Sequence, residues 1–222
     1  MKTEVQTIDA LVAWAKAHNP RGLDVLIPIS GGSDSAFSFW LYNQAFPKRV
    51  DGLFFGATLR AESWFRSTGT VRIEEHKEVF PDQELYRYAR ALEIKLQEKR
   101  ILVGTRNRTE HVIGAFSLAS RVTEYLPLSG MWKSDILRLC MHVGVPKEIT
   151  DSSRRADPVC GRPEQLAAMP FDSVDRYLSM IVGETPLGSV EGLTEEQKRY
   201  LDTLISVSSF KQGLPMMGPV LK

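Results

Sequence analysis

The chain has no paired cysteines. Cys140 and Cys160 stand apart, with no CxxC spacing. That excludes a zinc ribbon or a dithiol redox motif and fits a reducing, cytoplasmic setting. No apolar run approaches the length of a membrane span, so no membrane partner is expected. The first residues carry Glu4 and Asp9 and make a poor secretory signal. Neither sign of charge is in excess: 28 Lys plus Arg face 27 Asp plus Glu, which gives no overall attraction to nucleic acid. There is no internal repeat and no low-complexity tract. For 222 residues the expectation is one domain, residues 1–222, with a substantial core.

What is present is concentrated in residues 24–39, DVLIPISGGSDSAFSF. Val25, Leu26, Ile27 and Ile29 form a short apolar run with β-branched members, the pattern of a buried strand in a parallel sheet. Ser30 ends it, Gly31 and Gly32 follow, and Ser33, Asp34 and Ser35 are helix-start residues. The unit is strand, glycine turn, helix. Glycines let backbone N–H groups approach an anion closely. The helix start adds unpaired donors and the positive end of its dipole. Ser30, Gly31, Gly32, Ser33, Asp34 and Ser35 are therefore candidate phosphate-binding residues. Asp34 would repel a bare phosphate, and makes sense if a divalent cation lies between them. The Walker A pattern is absent, since no lysine follows the glycines. An ordinary capped βα turn is the plain alternative.

Along the chain, residues 3–17 have a helical pattern, with Val5, Ile8, Leu11, Val12 and Ala15 on one face. Residues 50–56 read as a second strand. Residues 57–82 have no clear periodicity and are expected to form an excursion over the site. Arg60 follows the second strand's carboxyl end, where α/β proteins place ligands, though a solvated loop arginine is the simpler expectation. Residues 83–99 are helical, with Leu85, Tyr88, Ala89, Leu92 and Leu96 on a shared face and Arg87 near the start. Residues 101–103 form a third strand. In GTRNRTE, residues 104–110, Thr105 falls beside the sheet's carboxyl edge, Asn107 caps a helix running to about Arg121, and Glu110 lies in its first turn. Lys133 starts a further helix over residues 134–143, against the dipole, which argues for a bound anion. Cys140 reads as a core residue, and Asp172 as the cap of a helix whose Val174, Tyr177, Leu178 and Ile181 pack inward.

The motifs SGGSDS, GTRNRTE, PLSGMWK and FDSVDRYL occur in that order. Together they resemble ammonia-dependent NAD synthetases, members of the N-type ATP pyrophosphatases, whose loop pattern is SGGxDS. The resemblance implies an α/β fold: an open, mostly parallel sheet with helices on both faces, Rossmann-like and of the adenine nucleotide alpha hydrolase type. It implies that residues 30–35, Thr105 and Lys133 bind ATP, that Asp34 and Glu110 share magnesium, and that Asp34 and Lys133 are catalytic. Arg87 and Lys211 become candidates for substrate binding. The implied reaction adenylates a carboxylate, deamido-NAD, with release of pyrophosphate. Ammonia then amidates the acyl-adenylate to give NAD and AMP. A homodimer is also implied, with the small residues from Gly114 to Leu118 near its axis; packing within one chain is the alternative. The family's TKYGDG segment is replaced by SLASRV, residues 117–122, so Leu118 stands where a substrate lysine is expected. Arg155 replaces a threonine that binds ATP, and Phe210 a histidine. A different carboxylate substrate, or a nucleotide-binding module without turnover, remains open. A glutaminase domain is not expected, and ammonia is the expected nitrogen donor, free or delivered by a partner.

Overall fold

A computed structural model describes residues 3–75, 83–154 and 163–213. The expectations for Arg155 and Cys160, and the stretch 76–82, lie outside the described residues. The chain begins with α1 (Glu4–Ala17), β1 (Val25–Ile29), α2 (Ser33–Ala45) and β2 (Val50–Phe55). Next come α3 (Glu62–Thr68), β3 (Thr70–Glu74), α4 (Gln83–Glu98), β4 (Ile101–Leu102) and α5 (Arg108–Ile113). A 3₁₀ turn (Leu118–Val122), α6 (Lys133–His142), α7 (Lys147–Ser152), α8 (Glu164–Ala167), α9 (Phe171–Ile181) and α10 (Glu195–Ser208) complete it. The sheet is parallel throughout, in the order β3-β2-β1-β4. The expected open parallel α/β architecture is present.

Alternation along β1 divides the core. Val25, Ile27 and Ile29 face a cluster built with Phe37, Phe39 and Leu41 of α2 and Ile136 and Leu139 of α6. Leu26 faces the other way, with Leu53, Phe55 and Leu102, and is covered by Tyr86, Ala91 and Ile94 of α4. Helices thus cover both faces. A third cluster joins Val112 and Ile113 of α5 to Leu166, Val174, Leu178 and Leu201. It packs helix on helix with no strand residue.

Four sequence expectations are corrected. The excursion of residues 57–82 contains α3 and a parallel edge strand, β3. The buried stripe of α4 is Tyr86, Ala91 and Ile94, while Leu85 and Leu96 are exposed. The helix expected from Asn107 to about Arg121 stops at Ile113, because Gly114 turns left-handed at φ 70°. An added Cβ on Gly114 would lie 2.1 Å from Ser208 Oγ, so its small size serves contact with α10 of the same chain. In α9, Val174 and Leu178 are buried as expected, but Ile181 is exposed and Asp175 is buried in its place.

Candidate active site

In the order β3-β2-β1-β4, the direction of winding reverses between β1 and β4. Ligands of open α/β sheets bind in the crevice at such a reversal, beyond the strands' carboxyl ends. The two loops that leave these strands are the glycine turn and GTRN. Topology alone therefore brings the two halves of the candidate site together.

The glycine turn is tightly bonded. Gly31 has φ 76°, a left-handed conformation that glycine adopts without penalty. Ser30 N donates to Ser35 Oγ at 3.2 Å, and Ser35 Oγ donates to Gly32 O at 2.9 Å. Gly32 is the N-cap of α2 and supplies no side-chain cap. The first N–H groups of α2 therefore keep no capping side chain.

Across the crevice, Asn107 caps α5 and forms a capping box with Glu110. Its Oδ1 accepts from Glu110 N at 2.8 Å, and its own N donates to Glu110 Oε2 at 3.3 Å. Its remaining amide donor, Nδ2, reaches Asp34 Oδ1 at 3.2 Å. Asn107 thus bonds both candidate metal carboxylates, Asp34 through its side-chain amide and Glu110 through its backbone N–H. Sequence reading saw only its cap.

Lys133 is the first residue of α6 and is buried, at 2% exposure. Its ammonium donates to Ser33 Oγ at 2.8 Å and forms an ion pair with Asp34. The Ser33 hydroxyl shares a further hydrogen bond with Ser153 Oγ, 2.7 Å away. Buried polar groups here satisfy one another in series.

The start of α6 is itself held from outside. Trp132, its N-cap, makes no side-chain cap bond. Asp175 of α9 supplies it instead: Oδ2 accepts from Ser134 N at 2.7 Å, and Oδ1 accepts from Thr109 Oγ1 at 2.6 Å. Thr109 Oγ1 in turn accepts from Lys133 N at 2.9 Å. Burial raises the pKa of Asp175, against the hydrogen bonds from Thr109 and Ser134, which lower it. The sequence carried a signal for Asp175: it falls on the same helical stripe as Phe171, Val174 and Leu178, and an acid on an apolar stripe needs partners.

A cavity of about 380 Å³ opens over this cluster. Ser30, Gly32, Ser33, Asp34 and Ser35 line it, with Thr105, Glu110 and Lys133. Arg87 of α4 lines it too, and so does Arg60, whose Nη1 lies 3.4 Å from Gly31 O. Lys211 lines neither this cavity nor the smaller one behind Thr109. Its Nζ donates to Gly114 O and Phe116 O, each at 3.0 Å. Cys140 lies below the turn in the core; burial is the main cause that pushes its thiol pKa up to about 12.

The sequence profile described as NAD synthase matches residues 83–215, more than half of the chain. The chain belongs to the NAD synthase family. An NH(3)-dependent NAD(+) synthetase of Hyperthermus butylicus is 30% identical over 138 residues, covering 59% of this chain and 48% of that protein. The chain thus spans about half the length of this relative. The protein of the same name from Pyrococcus horikoshii is 25% identical, with 88% of this chain and 87% of that protein aligned. Among solved structures, an NMN synthetase from Francisella tularensis superposes with a TM-score of 0.77 at 17% identity, covering 99% of this chain and 100% of that one. At that identity the superposition speaks for the NAD synthase fold alone. The family profile reaches from α4 past α10, so it includes Glu110, Lys133 and Asp175 but not the glycine turn.

Proposed function

We propose that the chain is an ATP-dependent amide ligase that adenylates the carboxylate of deamido-NAD and then amidates it with ammonia, giving NAD, AMP and pyrophosphate. The observation that carries this reading is the convergence of Asp34, Glu110 and Lys133 on one cavity, with Asn107 bonded to both carboxylates. Mere nucleotide binding does not need all three.

No protein nucleophile is required. The substrate carboxylate attacks the α-phosphate in line, the bond to pyrophosphate breaks, and ammonia displaces AMP from the acyl-adenylate. The chain's work is positioning and charge neutralisation. The N–H groups of residues 30–35 hold the leaving pyrophosphate. Lys133 offsets charge on the phosphates, Thr105 contacts the nucleotide, and Arg87 faces the acid substrate. Lys211 keeps only an indirect part, as a prop for the turn after α5.

Asp34 and Glu110 suit magnesium: both are hard oxygen donors, and Asn107 bonds both, one through its side chain and one through its backbone N–H. Among the described residues no group of three His, Cys, Asp or Glu could hold a metal. Phosphate oxygens and water would complete the shell, as is usual for this ion. Bound magnesium supplies electrostatic stabilisation of the phosphates.

A second reading concerns the acid. The 3₁₀ turn Leu118–Val122 and its N-cap Ser117 present Ser117 and Ser120 to the cavity, while Leu118 lies outside its lining. The Francisella tularensis fold relative is an NMN synthetase. An acidic mononucleotide is therefore the alternative acceptor. A homodimer in the cytoplasm is part of the proposal, with sedimentation equilibrium as its check. Among the described residues no helix is long and apolar enough to cross a membrane.

The test is incubation with ATP, magnesium and ammonia, plus deamido-NAD or nicotinate mononucleotide, reading AMP, pyrophosphate and the amide. Amide from deamido-NAD is the expected result. Amide from the mononucleotide only supports the second reading. ATP binding without AMP under either acid sinks both.

A further inference from the structure

The cavity wall holds a cation that the cluster around Lys133 does not use. Arg106 sits between Thr105 and the cap residue Asn107, and lines the same cavity. Its guanidinium lies 4.1 Å from the centroid of the Phe116 ring. Its Nε is buried with no hydrogen-bond partner, and Arg106 forms no ion pair among the described residues. The other cations near the cavity are engaged: Lys133 with Asp34, Arg108 with Glu184, Arg60 near Gly31 O, and Arg87, which lines the same cavity, with a partner of its own.

Arg106 is half-buried, and a cation partly withdrawn from water with no ion-pair partner is costly unless something compensates it. The Phe116 ring compensates in part and holds the guanidinium plane. A guanidinium held in this way keeps its fork ready for a planar or tetrahedral oxyanion, and little ordering entropy is left to lose on binding. Burial lowers the pKa of Arg106, Glu110 and then Tyr88 offset this, and Arg121 adds to the lowering. An incoming anion would reverse that balance. The location separates this site from the triphosphate: Phe116 and Tyr88 belong to the segment after α5 and to α4, while the phosphate donors belong to the glycine turn and α6. Hydroxyls of Ser117, Ser120 and Tyr88 lie on the same wall.

We propose that Arg106, stacked on Phe116, is the anion-binding residue of the acceptor half of the cavity and takes a phosphate ester of the acid substrate. This rests on the amide-ligase reading, since it presumes a phosphorylated acid beside ATP.

The test is calorimetric binding of deamido-NAD and nicotinate mononucleotide to wild type, Arg106→Ala and Arg106→Lys, without ATP or magnesium. ATP binding is measured separately. Loss of a charge-assisted, two-donor contact predicts at least about tenfold weaker binding of the acid in Arg106→Ala, with Arg106→Lys between the two. ATP affinity should change less than about twofold, and the unfolding midpoint should stay within a few degrees, since the variant leaves no new unpaired group. Unchanged acid affinity overturns the proposal. Equal weakening of acid and ATP also overturns it, by moving Arg106 to the triphosphate. A wild type that binds neither acid overturns it as well. A wild type that binds an acid but makes no amide overturns only the ligase reading.

Discussion

At the scale of single residues, the site is a set of charges that neutralise each other until a ligand arrives. Lys133 and Asp34 are both largely buried, with side-chain exposures of 2% and 13%. A buried pair contributes little net stability when intact, but removing one partner leaves the other charged and unpaired, at a cost of about 3–5 kcal/mol. Lys133→Ala should therefore lower stability, and it should also slow pyrophosphate release by about 10²–10³, the usual loss for one preorganised donor. Lys133→Met removes the charge and restores most of the packing volume. If Lys133→Met released pyrophosphate at the wild-type rate, Lys133 would be a structural residue only. Cys140 gives a separate check on the core. With its thiol pKa near 12 because of burial, it stays a neutral thiol at pH 8 and should resist alkylation in the native state. Mass spectrometry of the Cys140 peptide, with and without denaturant, measures this. Of these residues, Asp34 and Lys133 stood out in sequence because each breaks a local rule: an acid sits at an anion cradle, and a lysine opposes a dipole. Glu110 obeys the dipole rule and stood out only through the GTRNRTE motif paired with SGGSDS. Asn107 was half legible, because a cap residue shows its backbone role in sequence but not the partner of its spare amide.

At the scale of elements, the site depends on how three helices meet. Asp175 of α9 bonds Thr109 of α5 and Ser134 of α6, and Thr109 bonds the backbone of Lys133. Removing the carboxylate leaves two buried donors unsatisfied at about 1–3 kcal/mol each. Asp175→Ala should thus lower the unfolding midpoint and raise the KM for ATP, because α6 presents Lys133 less firmly. Asp175→Asn keeps one acceptor and should fall between. An Asp175→Ala enzyme with lowered stability but unchanged ATP kinetics would confine Asp175 to packing. Gly114 is the corresponding test for α5. Gly114→Ala combines a left-handed φ with a Cβ 2.1 Å from Ser208 Oγ, and it should destabilise by more than the ~1 kcal/mol of the backbone effect alone. Gly114 is itself a stop signal, since glycine is the commonest residue at a left-handed helix end, and the expectation of a continuing helix through the small residues after it passed over that signal. The neighbouring α10 adds the reason that no side chain fits there. The edge strand β3 carried a short signal that the sequence reading passed over: Val71 and Ile73 alternate with Arg72 and Glu74, and the two charged residues are spent on ion pairs with other elements.

At the scale of the whole molecule, the parallel sheet separates two jobs between its edges. The carboxyl edge carries the glycine turn, Thr105 and Glu110. The amino edge carries an ion-pair network in which Asp51 of β2 meets Arg72 at 2.6 Å and Arg100 at 3.0 Å. Glu98, at the end of α4, accepts from Arg72 at 2.6 and 3.0 Å and from Arg100 Nε at 2.6 Å. This network ties β2, β3, α4 and the start of β4 together, far from the chemistry. Its pH dependence follows from Glu98. The hydrogen bond from Arg72 is the main cause that lowers the Glu98 pKa; burial opposes it, and Arg100 adds a further, smaller lowering. A carboxylate whose folded pKa is depressed contributes stability above its unfolded pKa, and loses it as pH falls through the folded value. Wild type should therefore be more stable than Glu98→Gln at pH 7. The gap should close in the acid range below about pH 4.5, where an ordinary glutamate protonates. High salt should narrow it as well, because Glu98 is partly exposed. Urea unfolding of both proteins between pH 7 and 3 reads the gap directly. A constant difference across that range would assign the stabilisation to packing rather than charge. Glu98→Gln should also leave the KM for ATP unchanged. A shift there would mean that strain at the amino edge reaches the glycine turn through β1, and that the two edges of the sheet are not independent.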